Sequence, residues 1–239
     1  MKYLNLFFLA SMIVMNYLAN ALPINNRSTG ELSDSLPNLF VPAGITFSIW
    51  GLIYLLLLIF SALQFRAENQ TAVSRIGWFF ALSCLFNMLW ILAWHYQKLP
   101  LSLLIMAGLL ISLLIINTAI RDLPFGFIKA AFGVYLGWIC IATIANVTAL
   151  LVSNNWNGFG IPEEAWTIIM ISAGTIIVAL CAVKLVNPFI GLAVIWAFAG
   201  IIIKRQADYR SIVIAALAGI VIVAVLTILV FLKKRLLSH

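Results

Sequence analysis

The chain has 239 residues, of which 64% are hydrophobic and only 9% charged, and its mean hydropathy is +1.14. A soluble globular domain carries about 25% charged residues, so the composition excludes one and describes an integral membrane protein whose first partner is the lipid bilayer. The net charge of +7 is no nucleic-acid signature, because its Lys and Arg residues are scattered over short loops and the C-terminal end, where they orient the spans.

A membrane-crossing helix needs about 20 apolar residues. Runs of that kind predict eight spans, at about 4–21, 45–65, 76–95, 99–119, 126–152, 164–183, 188–203 and 211–232, the seventh being short. Met1–Ala21 also has the look of a signal peptide, with Lys2, an apolar core and the Ala19-Asn20-Ala21 triplet; a first membrane helix is the reading taken. The longest loop, Leu22–Gly44, is polar with both charge signs and reads either as a lid over a pocket mouth or as a solvated connector. Pro42, Pro100, Pro124 and Pro162 stand at or just before helix starts, where a missing N–H costs nothing, and Pro188 after Asn187 marks a tight turn. Cys84, Cys140 and Cys181 fall inside apolar spans without any CxxC or Cys/His cluster and read as small buried hydrophobes.

Three spans carry polar and aromatic residues at spacings of three or four, which places each set on one helix face: Phe47/Trp50/Tyr54, Asn87/Trp90/Trp94 and Tyr135/Trp138/Ala142/Asn146. A helix that only sits in lipid needs Leu, Ile and Val. Tryptophan and asparagine at mid-depth need something to pack on and bond to, so the faces point to an interior pocket for a flat, apolar ligand. For Asn87, Asn117 and Asn146 the competing role is helix–helix bonding, worth about 0.6 kcal/mol on average. Trp78, Trp156 and Trp166 lie near span ends and read as interfacial belt residues.

In this order, the segments Phe40–Tyr54, Leu85–Trp90 and Tyr135–Asn146 resemble the TspO/MBR family of tryptophan-rich sensory or translocator proteins, whose second, third and fifth helices carry P-x-x-x-F-x-x-x-W-x-x-x-Y, L-x-x-N-x-x-W and Y-x-x-W-x-x-x-A-T-x-x-N. Pro42 sits one residue from the family's register, Ile91 replaces the usual Ser after the third-helix Trp, and the aromatic run before the second helix is reduced to Phe40. The resemblance covers about residues 1–152 and five spans. It implies an all-α polytopic bundle with a TspO-like five-helix core (1–152) and a three-helix extension (153–239). It also implies a pocket near one membrane face for porphyrins and, in some members, sterols or synthetic aromatic ligands. Carried over, Trp50 and Trp138 are the pocket tryptophans, Asn87 the pocket asparagine and Ala142 the small wall beside Trp138. The expected ligand-binding set is Pro42, Phe47, Trp50, Tyr54, Asn87, Trp90, Tyr135, Trp138, Ala142 and Asn146. No cofactor is required, and a porphyrin or haem would be the ligand. Light-dependent porphyrin breakdown is proposed for some relatives. Members often dimerise, which Ala107 and Gly108 permit.

No conventional catalytic set or metal motif is visible. The histidines are His95, near a span end, and terminal His239. Coupled transporters bury Asp, Glu, His or Arg in their spans, and this chain places essentially none there, which leaves a passive or partner-driven permease as the alternative. Arg66/Arg75, Arg121/Lys129, Lys184 and Lys233–Arg235 fall on one side of eight spans, placing both termini in the cytoplasm of a bacterial inner membrane; Lys204, Arg205 and Arg210 are the exception.

Overall fold

A computed structural model describes residues 1–21 and 24–236, with side chains up to 233. Leu22, where the long loop begins, the side chains of Lys234 and Arg235, and His239 lie outside the described residues. The protein is a bundle of long helices: α1 (Lys2–Ala21), α3 (Ile49–Leu63), α5 (Phe79–His95), α6 (Leu99–Ala119), α7 (Phe127–Ser153), α8 (Glu163–Lys184), α9 (Phe189–Arg205) and α10 (Arg210–Leu236), with α2 (Thr29–Asp34) and α4 (Gln70–Ile76) as short helices.

Among the described residues, six helices are long and apolar enough to cross a membrane, and a seventh span forms if Ala67–Ile76 and Phe79–His95, bent by 57°, are taken together. The expectation of eight therefore changes in two places. The span at 76–95 is shortened at its start: Gly77, at φ +55°, ends α4 in a conformation disfavoured for other residues, and α5 then runs 17 residues from Phe79. The run at 188–203 folds as α9 with 17 residues, about 26 Å at 1.5 Å per residue and short of the hydrocarbon thickness. The second span falls where expected, at Gly44–Leu63, and opens with a 3-10 turn, Gly44–Ser48, before the α-helix begins at Ile49.

α7 is the central element, with α3, α6 and α9 packed on it, while α10 closes over α8 and α9. Glycines permit the α7–α9 contact. A Cβ built at Gly137 lies 2.1 Å from the Ile190 carbonyl oxygen, and one at Gly133 lies 2.7 Å from the Asn187 amide. At the end of the bundle away from the loop before α3, Lys129 is almost fully buried and donates to the carbonyls of Arg121 (2.6 Å) and Val186 (2.8 Å). The sequence places Lys129 beside a loop; the structure turns its ammonium inward onto carbonyls just past the ends of α6 and α8. Asn187 donates to Asn117 (2.8 Å) and to the Lys129 carbonyl (3.0 Å). Asn117 thus serves as helix–helix glue.

The loop before α3 is ordered where it is described. Ser28 caps α2 in a reciprocal box: its hydroxyl accepts from the Glu31 N–H (3.3 Å), and its own N–H donates to the Glu31 carboxylate (2.7 Å). That backbone donor holds the Glu31 carboxyl below its ordinary range.

Gly137→Ala is expected to destabilise the protein by about 1–3 kcal/mol, because backbone cannot yield to the added methyl as a flexible side chain would. Gly51→Ala, where nothing lies within 4 Å of the built Cβ, should leave the melting temperature in detergent unchanged. Equal melting of the two variants would remove the close α7–α9 contact from the account.

Candidate functional site: an aromatic chamber under the long loop

The apolar faces of α3, α5 and α7 converge at the lid end of the bundle on a small chamber. Phe47 and Trp50 come from the start of the second span, Trp90 and Trp94 from α5, and Trp138, Ile141, Ala142, Ala145, Asn146 and Ala149 from α7. Thr29, Ser33, Asn38, Val41 and Pro42 of the long loop form its roof. The rings meet edge to face, Trp138 standing 6.0 Å from Phe47 and 6.3 Å from Trp50, the arrangement that aromatic quadrupoles prefer. Trp90 and Trp94, one helical turn apart, stack at 5.8 Å. The chamber volume is about 50 Å³, room for a few waters.

On its other side, Thr29, Phe47 and Trp50 also line a cleft of about 560 Å³ between α1 and α3, together with Asn16, Tyr17, Asn20 and Tyr54. The two helices are tied at their far ends, where Asn5 donates to Gln64 (3.0 Å), and separate toward the lid.

Seven of the ten expected residues line the chamber: Pro42, Phe47, Trp50, Trp90, Trp138, Ala142 and Asn146. Tyr54 lines the cleft and stacks on Trp50 at 5.7 Å. Tyr135 is fully buried behind Trp50, its ring 5.9 Å away, and lines neither space. Asn87 also lines neither, because its carbonyl oxygen accepts from Asn16 of α1 at 2.7 Å. Asn146 both faces the chamber and accepts from Ser102 at 2.9 Å. Trp94 is absent from the expected set although its spacing from Trp90 announces it, and Ala145 and Ala149 continue the Trp138 face by the same periodicity. Nothing local in the sequence marks the roof residues.

The hydrogen bonding around the chamber is one-sided. The indole N–H groups of Trp90, Trp94 and Trp138 are buried without an acceptor, as is the Asn87 amide nitrogen. Such donors are rare in folded proteins; the three indoles line the chamber, while the Asn87 amide nitrogen lies outside it. His95, which the sequence places at a span end, is fully buried and anchors the roof. A carbonyl only accepts, so its Nδ1 donates to Ile24 (3.0 Å), and its Nε2 faces the Thr29 hydroxyl at 3.0 Å.

A family model described as "TSPO-like protein" matches residues 2–229. The chain belongs to that family. The match runs past α7 and through α8 and α9 into α10, so the TSPO-like region includes helices beyond the three sequence motifs. No curated protein and no solved structure matches the chain. In this TSPO-like protein the motif tryptophans of α3, α5 and α7 reach the same chamber, whereas the motif asparagine of α5 is spent on α1.

Asn16→Leu is expected to cost about 1–3 kcal/mol, since it leaves the Asn87 carbonyl unpaired as well. Adding Asn87→Leu should recover part of that loss, with a coupling of about 0.6–1.7 kcal/mol. Additive losses in thermal unfolding of the single and double variants would mean that the two amides do not bond.

Proposed function

We propose that this integral membrane protein binds flat, apolar ligands of the tetrapyrrole class in the aromatic chamber, as a sensing or carrying protein and without conventional catalysis. The observation that carries the reading is the convergence of Trp50, Trp90, Trp94 and Trp138 on one chamber, three of them with unpaired N–H donors. Indole faces supply stacking area for a large π system, about 0.5–1.5 kcal/mol per ring pair beyond area burial. The unpaired donors suit the carbonyl or ring acceptors at its edge. Drug-sized ligands occupy cavities of about 300–1,000 Å³, so the chamber receives such a ligand by opening toward one of its neighbours. The cleft shares Phe47 and Trp50 with it.

In this reading α1, α3, α5, α6 and α7 are the ligand-binding core, the residues from 153 onward support it, and both termini face the cytoplasm. Two of the three charges that break the positive-inside pattern then have a local explanation. Lys204 pairs with Asp34 at 2.7 Å, and Arg205 donates to loop carbonyls, so both are held on the lid side by the loop.

The test is titration of the detergent-purified protein with protoporphyrin, read by quenching of tryptophan fluorescence. The expected outcome is saturable binding, weakened tenfold or more in the Trp50→Phe/Trp138→Phe variant, whose remaining Trp90 and Trp94 still report. Equal affinity in the variant would remove the chamber as the binding site.

A further inference from the structure

The chamber has a second neighbour. Along α7 the chamber face of Trp138, Ala142, Ala145 and Ala149 continues as Thr148, Leu151 and Val152, which line a separate cavity of about 340 Å³. Its other walls are Phe40 of the loop, Trp156 before α8, and Trp166 and Met170 of α8. Trp156 and Trp166 are therefore not simple belt residues: their rings meet at 5.0 Å, and Trp166 donates to the Gly158 carbonyl at 2.8 Å. Asn38 lines both spaces. The strap of residues 37–41 is thus a wall between them.

The strap is folded on itself and held from one side. The Asn38 amide donates to Leu36 O (3.0 Å) and accepts from Val41 N (3.1 Å), a local turn that carries the strap as a unit. Its backbone is gripped by side chains from beyond the motif helices. Arg205, at the end of α9, donates to Leu39 O (3.1 Å) and Asn38 O (2.8 Å), and Glu163, at the start of α8, accepts from Leu39 N (2.9 Å). Both side chains lie at the bundle end, where water can replace the strap as their partner, so these bonds can be exchanged at low cost. The strap's own apolar side chains, Leu39, Phe40 and Val41, are buried.

We propose that strap 37–41 is a movable partition latched by Arg205 and Glu163, and that its displacement joins the chamber and the outer cavity into one site for a planar ligand too large for the chamber. The ligand's acceptor edge meets the indole N–H groups of Trp90, Trp94 and Trp138, and its apolar body lies among Trp156, Trp166 and Met170. No Lys or Arg lines either space, so any carboxylate on the ligand stays at the aqueous rim. The ligand class rests on the function proposed above; the partition and its latch do not.

Two readouts separate them. In a protein whose three cysteines are replaced by Ala, Leu39→Cys is labelled with a maleimide, with and without Arg205→Met; Glu163→Ala serves as the second latch variant. Either latch variant should speed labelling about tenfold and leave labelling of Ala19→Cys, buried in α1, unchanged. Equal rates at Leu39→Cys, or a parallel rise at Ala19→Cys, would overturn the latch. The second readout is stopped-flow binding of protoporphyrin. Arg205→Met should raise its association rate severalfold, and Val152→Trp, which fills the outer cavity, should weaken its affinity about tenfold. Normal binding in Val152→Trp would overturn the joined site while leaving the chamber reading intact. Absence of protoporphyrin binding in the wild type, with labelling at Leu39→Cys still responding to Arg205→Met, would remove the tetrapyrrole and keep the partition.

Discussion

Away from water, a polar group that finds no partner inside the protein pays the full cost of its desolvation, and this constraint orders the whole bundle. The buried amides are used in pairs that join helices distant in sequence. Asn5 with Gln64 and Asn16 with Asn87 fix α1 to the end of α3 and to α5, Asn146 with Ser102 fixes α7 to α6, and Asn117 with Asn187 fixes α6 to the turn before α9. Even the buried Lys129 is spent on two carbonyls at helix ends. Against that background the unpaired N–H donors stand out by position. Among the described residues they belong to Asn87, Trp90, Trp94 and Trp138, all at or beside the chamber. The same rule that makes a satisfied asparagine structural underlies the proposal of a ligand at the unsatisfied indoles.

Packing sets the second condition. Edge-to-face contacts among Phe47, Trp50, Trp138 and Tyr135 close the aromatic wall upon itself, leaving a chamber far smaller than any planar macrocycle. A rigid bundle of this kind opens where its walls are weakest. Those are the helix pair tied only at its far end, α1 and α3, and the irregular strap whose backbone is held by side chains and not by a helical ladder. Dense packing of α7 against α6 and α9 makes opening from that side costly.

The helices and their apolar faces were legible because a period of three to four residues survives in the sequence: Phe47 to Trp50, Trp90 to Trp94, and Trp138 through Ala142 to Asn146. What could not be read depended on partners far along the chain. Asn87 stands at the right place on its helix to face a ligand, yet its carbonyl is taken by Asn16, a pairing across 71 positions that no local spacing announces. His95 looked interfacial because its neighbours Tyr96 and Lys98 are polar; its burial comes from Ile24 and Thr29, which fold back over it. The break at Gly77, at the start of its run, and the short α9 shorten runs apolar enough to be taken for whole spans, since composition does not record where a helix bends.

The shortness of α9 also bears on what the later helices do. A 17-residue helix is a poor membrane span on its own, but it need not face lipid along its length: Gly191 and Gly200 let α10 and the turn before α3 approach it closely. At that turn the Ala43 N–H donates to the Gly200 carbonyl at 3.0 Å, and the Trp196 indole donates to Thr46 O at 2.9 Å. From this anchorage α9 ends level with the strap, so that Lys204 and Arg205 reach the loop without crossing the bundle. A longer helix would carry those side chains past the strap, and a larger residue at Gly200 would push the turn off α9, since a Cβ built there meets the Thr46 hydroxyl at 1.9 Å. The length of α9 and its glycines therefore act together, setting the height at which the loop is held over the tryptophans.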